Sequence, residues 1–303
     1  MSTDRAPHRE FESSAAAPVW TDCHFESRDG LRLHYRDYAA ARDKPVRLPV
    51  LCIPGLTRNS RDFERLAPHL QHARRVLTAD LRGRGRSARD PQWRNYQPGM
   101  YLADLAGLLD QAQSPRVVII GTSLGGLLAM MFAVREPARV AGIVLNDIGP
   151  EIDPVGRMRI ATYVGRSPAV RNWDEAVRQA RLTYGTALPE LSDADWLALA
   201  RRSYVEVDGV PQLDMDPMIG EAVRNPPANS PRDLWPVFAA LGSLPMLVLR
   251  GELSDVLSAA TLARMELEHP GLRGVTVARR GHPPLLDEPA ALAALDAFIS
   301  LLP

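Results

Sequence analysis

The segment Gly121-Thr122-Ser123-Leu124-Gly125 places a serine between two glycines in the spacing G-x-S-x-G. Four β-branched residues precede it at 117–120, and an apolar run of helix-forming residues follows at 127–134. A serine at such a strand-to-helix turn is held in a strained conformation with its hydroxyl exposed. The glycines lack Cβ atoms, so the strand and the helix can approach closely. The pattern predicts that Ser123 is a nucleophile, provided that its partners follow in the required order.

A nucleophilic serine at this kind of turn needs a carboxylate and then a histidine further along the chain. Asp255 lies in the loop after a predicted strand at 246–249, and His282 lies in the loop after another at 274–278. Both loops leave parallel strands at the same edge of the sheet as the serine. We therefore predict His282 as the general base and Asp255 as the carboxylate that holds its tautomer. Asp147, after the strand that follows the serine, is the alternative carboxylate.

Attack on a carbonyl group creates a negative oxygen, which backbone N–H groups near the serine can stabilise. The predicted strand at 48–53 runs directly into Pro54-Gly55-Leu56, and Leu124 immediately follows the serine. We predict that the N–H groups of Leu56 and Leu124 form this oxyanion hole. Gly55 and Ile148 are predicted to contact the substrate. The apolar side chains of Leu56, Leu124 and Ile148 favour an apolar acyl group.

The elements that must position these groups predict an α/β fold. After an antiparallel hairpin at 20–38, strands alternate with helices, and the alternation resumes at 246. This alternation is typical of a mostly parallel sheet with right-handed crossovers. The intervening residues 151–240 contain amphipathic helical pieces and no buried strand.

The predicted domain organisation follows from this interruption. We expect a flexible tail at 1–18, a core formed by 19–150 and 241–303, and a helical cap at 151–240. An insertion at the carboxyl end of a strand would cover the ligand crevice of the sheet as a lid. The aromatic residues of the cap are more often part of its own core than substrate contacts.

The composition excludes several other functional classes. The chain of 303 residues has zero formal net charge and no basic block, so nucleic acid and anionic membranes are not expected as partners. The apolar stretch at 117–134 has the length of a membrane span, but its glycines and hydroxyl groups count against one. The tail lacks the apolar segment of a signal peptide. Cys23 and Cys52 are expected to be free thiols, which fits a reducing, cytoplasmic environment.

Taken in chain order, these motifs resemble the α/β-hydrolase superfamily, and among its members the serine hydrolases with a helical cap, such as carboxylesterases and enol-lactonases. The matching segments are 54–56, 80–87, 121–126, 251–255 and 281–282. One difference is visible. Many relatives have His-Gly at the first of these segments, where this chain has Pro54-Gly55. The oxyanion hole uses backbone N–H groups, so the change affects the support of the loop and not its donors.

The resemblance implies hydrolysis of a small ester or lactone with no metal and no organic cofactor. Dehalogenases and epoxide hydrolases of this superfamily use aspartate where this chain has Ser123, so we set those reactions aside. Hydrolysis of lactones, of carbon–carbon bonds in ring-cleavage products, and cofactor-free perhydrolysis remain open. A receptor or scaffold on the same fold also remains open, although it would not need the full set of catalytic side chains. The sequence does not fix the oligomeric state, and a homodimer is the assembly to consider.

Overall fold

The computed structural model of the protein describes residues 19–41, 47–226 and 233–303. The predicted flexible tail at 1–18 lies outside the described residues. Through residue 146 the elements are β1 (Thr21–Glu26), β2 (Arg32–Tyr38), β3 (Val50–Ile53), α1 (Leu66–Gln71), β4 (Val76–Asp80), α2 (Pro98–Gln111), β5 (Val117–Thr122), α3 (Leu124–Arg135) and β6 (Val140–Asn146).

The chain then forms a largely helical segment before it returns to strands. The elements of this segment are α4 (Pro154–Tyr163), α5 (Trp173–Tyr184), α6 (Asp193–Ser203), β7 (Tyr204–Val207), β8 (Val210–Leu213), α7 (Ile219–Arg224) and α8 (Trp235–Ala239). The last elements are β9 (Met246–Gly251), α9 (Ala259–Glu268), β10 (Leu272–Val277) and α10 (Pro289–Ser300).

Eight of these strands form one sheet in the order β1-β2-β4-β3-β5-β6-β9-β10. The β1–β2 and β2–β4 pairs are antiparallel, and all other pairs in the sheet are parallel. The predicted mostly parallel α/β fold, including the antiparallel hairpin at one edge, is therefore confirmed. Every residue of the central strands β3, β5 and β6 is buried, as expected for parallel strands covered on both faces.

Side chains of β5 alternate between two hydrophobic cores, one on each face of the sheet. Val117 and Ile119 pack in the core beneath α2, α3 and α9, whereas Val118 and Ile120 pack in the core beneath α1 and α10. This alternation follows from the two-residue period of a β-strand. Because side chains pack against both faces of β5, the strand has a fixed position in the sheet. The turn that follows it is therefore held in a fixed position as well.

The segment between β6 and β9 is not entirely helical. Strands β7 and β8 pair as an antiparallel hairpin, an element that the sequence analysis did not predict. Asp208 and Gly209 form the turn with φ angles of 50° and 78°. An Asp-Gly pair is a common signal for such a turn because both residues tolerate positive φ. Most residues of both strands are exposed or half-buried. The strands therefore lack the continuous apolar run that identifies a buried strand in the sequence.

The apolar stretch at 117–134 is divided between a strand and a helix, β5 and α3. Within the described parts of the chain, no helix combines the length and the apolar character needed to cross a bilayer. Cys23 lies on β1 and Cys52 on β3, and both are free thiols. Burial raises the pKa of the Cys52 thiol, so this thiol is not a reactive thiolate.

Candidate active site

Ser123 occupies the turn between β5 and α3 with φ of 51° and ψ of −114°. This is strained backbone for a residue with a Cβ atom. The turn is tight because two backbone segments approach closely at glycines. A Cβ on Gly125 would lie 2.1 Å from the carbonyl oxygen of Ile53, and one on Gly121 would lie 2.3 Å from the carbonyl oxygen of Gly125. The Ser123 N–H also donates to the Asn146 carbonyl oxygen at 3.0 Å, which ties the turn to β6.

The structure brings His282 to this serine from the loop after β10. The His282 Nε2 atom lies 2.8 Å from the Ser123 hydroxyl oxygen, within hydrogen-bond distance. The imidazole is largely buried. With its proton on Nδ1, the ring can accept the serine proton at Nε2, which is the arrangement that general-base activation requires.

The carboxylate at the other side of His282 belongs to Asp147. Its Oδ2 atom lies 2.8 Å from His282 Nδ1. The same oxygen accepts a hydrogen bond from the Ser254 hydroxyl at 2.6 Å, and Oδ1 accepts one from the Gly251 N–H at 2.8 Å. Asp147 is completely buried, so these donors stabilise its negative charge in the absence of water. They also fix the direction in which the carboxylate faces the imidazole.

The prediction that Asp255 orients His282 is therefore wrong, and the alternative, Asp147, occupies that place. Asp255 instead pairs with Arg159 on α4, with 2.8 Å between Nη2 and Oδ1. The hydrogen bond from Arg159 holds the pKa of the Asp255 carboxyl below its usual range, and partial burial opposes this. The Asp255 carbonyl oxygen also accepts the Gly156 N–H at 2.9 Å. Asp255 thus attaches the first helix after β6 to the loop after β9.

The backbone conformation explains why Asp147, and not Asp255, contacts His282. Asp147 comes directly after the last residue of β6 and has φ of 56°, which turns its side chain beneath the loop that follows β9. Asp255 lies four residues beyond the end of β9, where that loop has already turned outward toward α4. Both carboxylates satisfy the same order along the chain and lie at the same edge of the sheet, so the sequence order cannot separate them.

The loop after β3 brings one of the two predicted oxyanion donors, Leu56, toward the serine, and the other, Leu124, directly follows the serine. A Cβ placed on Gly55 would lie 3.8 Å from the Cβ of Ser123. Within the described ranges, neither the Leu56 N–H nor the Leu124 N–H donates a hydrogen bond to the protein backbone or to a side chain. Both donors are thus available to a ligand; Leu124 is the residue after Ser123, and Leu56 is the residue after Gly55. Donors of this kind, held in place before the reaction, can stabilise a developing oxyanion.

Arg84 supports this loop from behind, a role that the sequence did not reveal. It is almost completely buried, and its Nε donates to the Leu56 carbonyl oxygen at 2.9 Å. Its Nη1 donates to the Tyr101 hydroxyl at 2.8 Å and to the Arg82 carbonyl oxygen at 2.7 Å. These contacts fix the peptide next to the predicted oxyanion donor. They provide support for the loop that begins with Pro54-Gly55.

A cavity opens above Ser123 and His282. Gly55, which was predicted to contact the substrate, lies in the lining of this cavity. The prediction for Ile148 is wrong, because that side chain is only 1% exposed and does not line the cavity. It packs against Gly126 instead, where an added Cβ would come within 2.3 Å of Ile148 Cγ2.

The opposite wall of the cavity comes from helices α4, α5 and α6. The apolar and aromatic members of this wall are Ile160, Tyr163, Tyr184, Leu188 and Leu199. Of the aromatic residues noted in the cap sequence, Tyr184 lines this cavity, whereas Trp196 is buried in a small core with Leu199. Neither side chain is exposed on its helix, so a periodic pattern in the sequence does not separate these two roles.

Within the described residues, no group of three or more His, Cys, Asp or Glu side chains is arranged to hold a metal ion. The hydrogen-bonded series of Asp147, His282 and Ser123, with free N–H groups beside the serine, is suited to nucleophilic attack on a carbonyl carbon.

Comparison with known proteins assigns the chain to a family. A family model described as the alpha/beta hydrolase fold matches residues 49–192. A 3-hydroxybutyrate-oligomer hydrolase from Cupriavidus necator is 30% identical over 280 residues, which cover 89% of this chain and 93% of that protein. The chain belongs to the α/β-hydrolase family and is a hydrolase, which confirms the resemblance found in the sequence.

Two further relatives agree with this assignment. A 2-(acetamidomethylene)succinate hydrolase from Mesorhizobium japonicum is 28% identical over 235 residues, covering 77% of this chain and 81% of that protein. The crystal structure of an alpha/beta hydrolase from Novosphingobium aromaticivorans shares 45% sequence identity with a TM-score of 0.88. That match covers 94% of this chain and 99% of the other, so it includes the helical segment between β6 and β9 as well as the sheet.

Proposed function

We propose that this protein is a serine hydrolase that cleaves carboxylic esters of small, largely apolar acids through an acyl-enzyme. The observation that carries the proposal is the continuous hydrogen-bonded series from Asp147 through His282 to the Ser123 hydroxyl, with 2.8 Å at each of its two links. The series ends at the floor of a cavity lined mostly by apolar side chains with a few polar groups, which is the usual character of a small-molecule site.

The geometry supports the following mechanism. The Ser123 oxygen attacks the ester carbonyl carbon while His282 Nε2 takes the hydroxyl proton. Asp147 keeps the other imidazole proton on Nδ1 and stabilises the imidazolium that forms. The N–H groups of Leu56 and Leu124 bind the negative oxygen of the tetrahedral intermediate, each contributing roughly 3 kcal/mol. When the intermediate collapses, the C–O bond to the alcohol breaks and His282 returns the proton to the leaving alcohol.

The second half of the reaction uses the same groups with water in place of the alcohol. His282 takes a proton from a water molecule, and the resulting hydroxide attacks the acyl carbon. Collapse of the second tetrahedral intermediate breaks the bond to Ser123, which recovers its proton from His282, and the acid leaves. Each proton removed by His282 is returned within the same half-reaction, so the cycle consumes one ester and one water.

Residues 151–240 are proposed as a cap that closes the substrate cavity and selects the substrate. Support comes from the aromatic and aliphatic side chains of α4, α5 and α6 that face Ser123 across the cavity. The relative from Cupriavidus necator is named for an oligomer of 3-hydroxybutyrate. Short linear esters of hydroxy acids are therefore the first natural substrates to test.

A fluorophosphonate probe tests the proposal directly because it reacts with activated serine hydroxyls. We expect labelling of the wild type, loss of labelling in Ser123→Ala, and unchanged labelling in Ser300→Ala, which removes an exposed serine that does not line the cavity. Hydrolysis of p-nitrophenyl esters should follow the same pattern. If the folded wild type were neither labelled nor active on any ester, the chain would be better explained as a binding protein on this fold.

A panel of substrates separates ester hydrolysis from its alternatives. Short-chain p-nitrophenyl esters, γ- and δ-lactones, and a vinylogous diketone acid would be compared by kcat/KM. We expect the esters to be the best substrates. Cleavage of the diketone acid with no activity on esters would show that the enzyme hydrolyses carbon–carbon bonds, and a preference for lactones would change the substrate class.

A further inference from the structure

Among the described residues, Arg202 is a buried cation without a partner, in the cavity that contains Ser123 and His282. It lies in the last turn of α6 and lines that cavity, yet only 9% of its surface is exposed. Within the described ranges, its guanidinium forms no salt bridge and donates no hydrogen bond, and its Nε is buried with no acceptor. Buried charges in folded proteins are normally paired, so this one requires an explanation.

A second arginine in the same cavity, Arg58, is paired with a carboxylate, as buried charges usually are. Arg58 also lines the cavity, but its Nε donates to both carboxylate oxygens of Asp62, at 2.8 and 3.1 Å. A further nitrogen of Arg58 donates to the Ser203 hydroxyl. The one carboxylate in the lining is thus occupied by Arg58. Apart from His282, the charged groups in the described cavity lining are Arg58, Asp62 and Arg202. Since Arg58 and Asp62 compensate each other, one positive charge remains, and it belongs to Arg202.

The position of Arg202 in α6 does not account for its burial. A cation in the last turn of a helix interacts favourably with the helix dipole, but it can do so from the surface. The adjacent Arg201, in the same last turn, is exposed at the surface. The backbone of Arg202 is held in place, because its carbonyl oxygen accepts hydrogen bonds from Asn59 and Arg61. Burial lowers the pKa of the Arg202 guanidinium, and the nearby Asp62 opposes this, but an arginine side chain stays protonated.

We propose that Arg202 binds a free carboxylate of the substrate, so that the enzyme selects esters that carry an unblocked carboxyl group. This inference rests on the proposed ester hydrolysis at Ser123 and specifies its substrate class. A guanidinium matches a carboxylate with two parallel hydrogen bonds. A bound carboxylate would supply the partner that the described residues do not provide. A short linear ester of a hydroxy acid has such a group at its acid end.

The carboxylate could belong to either half of the ester, and two substrate pairs distinguish these cases. The linear dimer of 3-hydroxybutanoic acid carries it on the leaving alcohol, and the monoester of glutaric acid with p-nitrophenol carries it on the acyl group. Each is compared with its primary amide, in which the carboxylate is replaced by a neutral group of the same size. We expect the wild type to prefer the acid over the amide in at least one pair by roughly ten- to a hundredfold in kcat/KM.

Arg202→Leu tests whether this preference comes from the proposed residue. In this variant the ratio of kcat/KM for acid and amide should fall to about one, mainly through a higher KM for the acid. Arg201→Leu is the matched control, since it removes the exposed neighbouring charge from the same helix turn, and its ratio should equal that of the wild type. A ratio that survives Arg202→Leu, or that falls equally in Arg201→Leu, would overturn the proposal.

Ligand binding, measured as a shift in Tm, does not depend on turnover. The Tm of each unliganded variant also reports whether that variant folds. Sodium 3-hydroxybutanoate should raise the Tm of the wild type and of Arg201→Leu, but not that of Arg202→Leu, and 3-hydroxybutanamide should raise none of them. The Tm of unliganded Arg202→Leu should be equal to or above that of the wild type, because an unpaired buried charge has been removed. If all variants responded equally to the acid, Arg202 would not be the carboxylate site.

The outcomes also separate this inference from the function on which it rests. Labelling of Ser123 by the fluorophosphonate probe, with no acid preference in the wild type, would leave the serine hydrolase intact and remove only the carboxylate site. Absence of labelling and of ester hydrolysis would refute the proposed function, whereas stabilisation by 3-hydroxybutanoate that is lost in Arg202→Leu would still support an anion site in the cavity.

Discussion

Replacing Asp147 by Asn changes one atom of the side chain that holds His282, and it should nearly abolish turnover. Asp147 Oδ1 accepts the fixed backbone N–H of Gly251, whereas Oδ2 faces His282 Nδ1. In Asp147→Asn the amide oxygen will remain at the Gly251 N–H, so the amide NH₂ will face the imidazole. It will then donate to Nδ1 and force the imidazole proton onto Nε2.

That tautomer cannot accept the proton of Ser123, because the proton on Nε2 now points at the hydroxyl oxygen 2.8 Å away. Loss of the correct tautomer and of the charge that stabilises the imidazolium costs about 10⁴-fold in kcat. This factor corresponds to ~5.4 kcal/mol of transition-state stabilisation. KM should change little, since Asp147 is completely buried and does not line the cavity.

The matched control is Asp255→Asn. Asp255 pairs with Arg159 on a partly exposed surface, and such ion pairs contribute about 0–1 kcal/mol. We expect this variant to retain kcat within about tenfold of the wild type, measured by release of p-nitrophenol with the active enzyme counted by titration. Near-ultraviolet circular dichroism would check that both variants fold. If folded Asp147→Asn kept near wild-type activity, or if Asp255→Asn lost as much, the assignment of the orienting carboxylate would be mistaken.

Three further perturbations test other parts of the structure. Gly125→Ala should destabilise the fold by about 3 kcal/mol or more in urea unfolding, since its Cβ would lie 2.1 Å from a backbone oxygen; Gly99→Ala, which meets no atom within 4 Å, should be neutral or stabilising. Arg84→Met should lower kcat about tenfold with little change in KM, because the Leu56 peptide loses its support; an unchanged kcat would count against that role. Burial lowers the pKa of His269, whose ring nitrogens have no partner within the described residues, so the unfolded chain binds its proton at higher pH than the folded one. The contribution of neutral His269 to the free energy of unfolding is therefore complete above pH 6.5 and is lost as pH falls through the lowered pKa. His269→Phe should lose less stability than the wild type between pH 8 and pH 5. An equal loss in both proteins would contradict this.

The sheet could be predicted because its buried strands are short apolar runs, rich in β-branched residues and bounded by turn residues. β5 and β6 are examples, and the glycines around Ser123 indicated the turn that follows β5. His282 was predictable for the same reason, since a histidine just beyond a strand end of a parallel sheet lies close to the serine. These features depend on local sequence and on a rule of topology, and both are visible in one chain.

Other features depend on contacts that the sequence order does not reveal. The choice between Asp147 and Asp255 is decided by a positive φ at the first and by a partner, Arg159, for the second. Ile148 is buried because Gly126 leaves room for its side chain. Arg201 and Arg202 are neighbours of the same type, and only the packing of α6 makes one exposed and the other part of the cavity.

The central claim is that the Ser123 oxygen becomes acylated during turnover, and rapid quenching tests it most directly. The enzyme is mixed with p-nitrophenyl butyrate, quenched in acid within milliseconds, digested and analysed by mass spectrometry. The account predicts a butyryl group on the peptide that contains Ser123, formed at the rate of the p-nitrophenol burst and no longer formed in Ser123→Ala. A butyryl group on another residue, or a burst that persists in that variant, would contradict it.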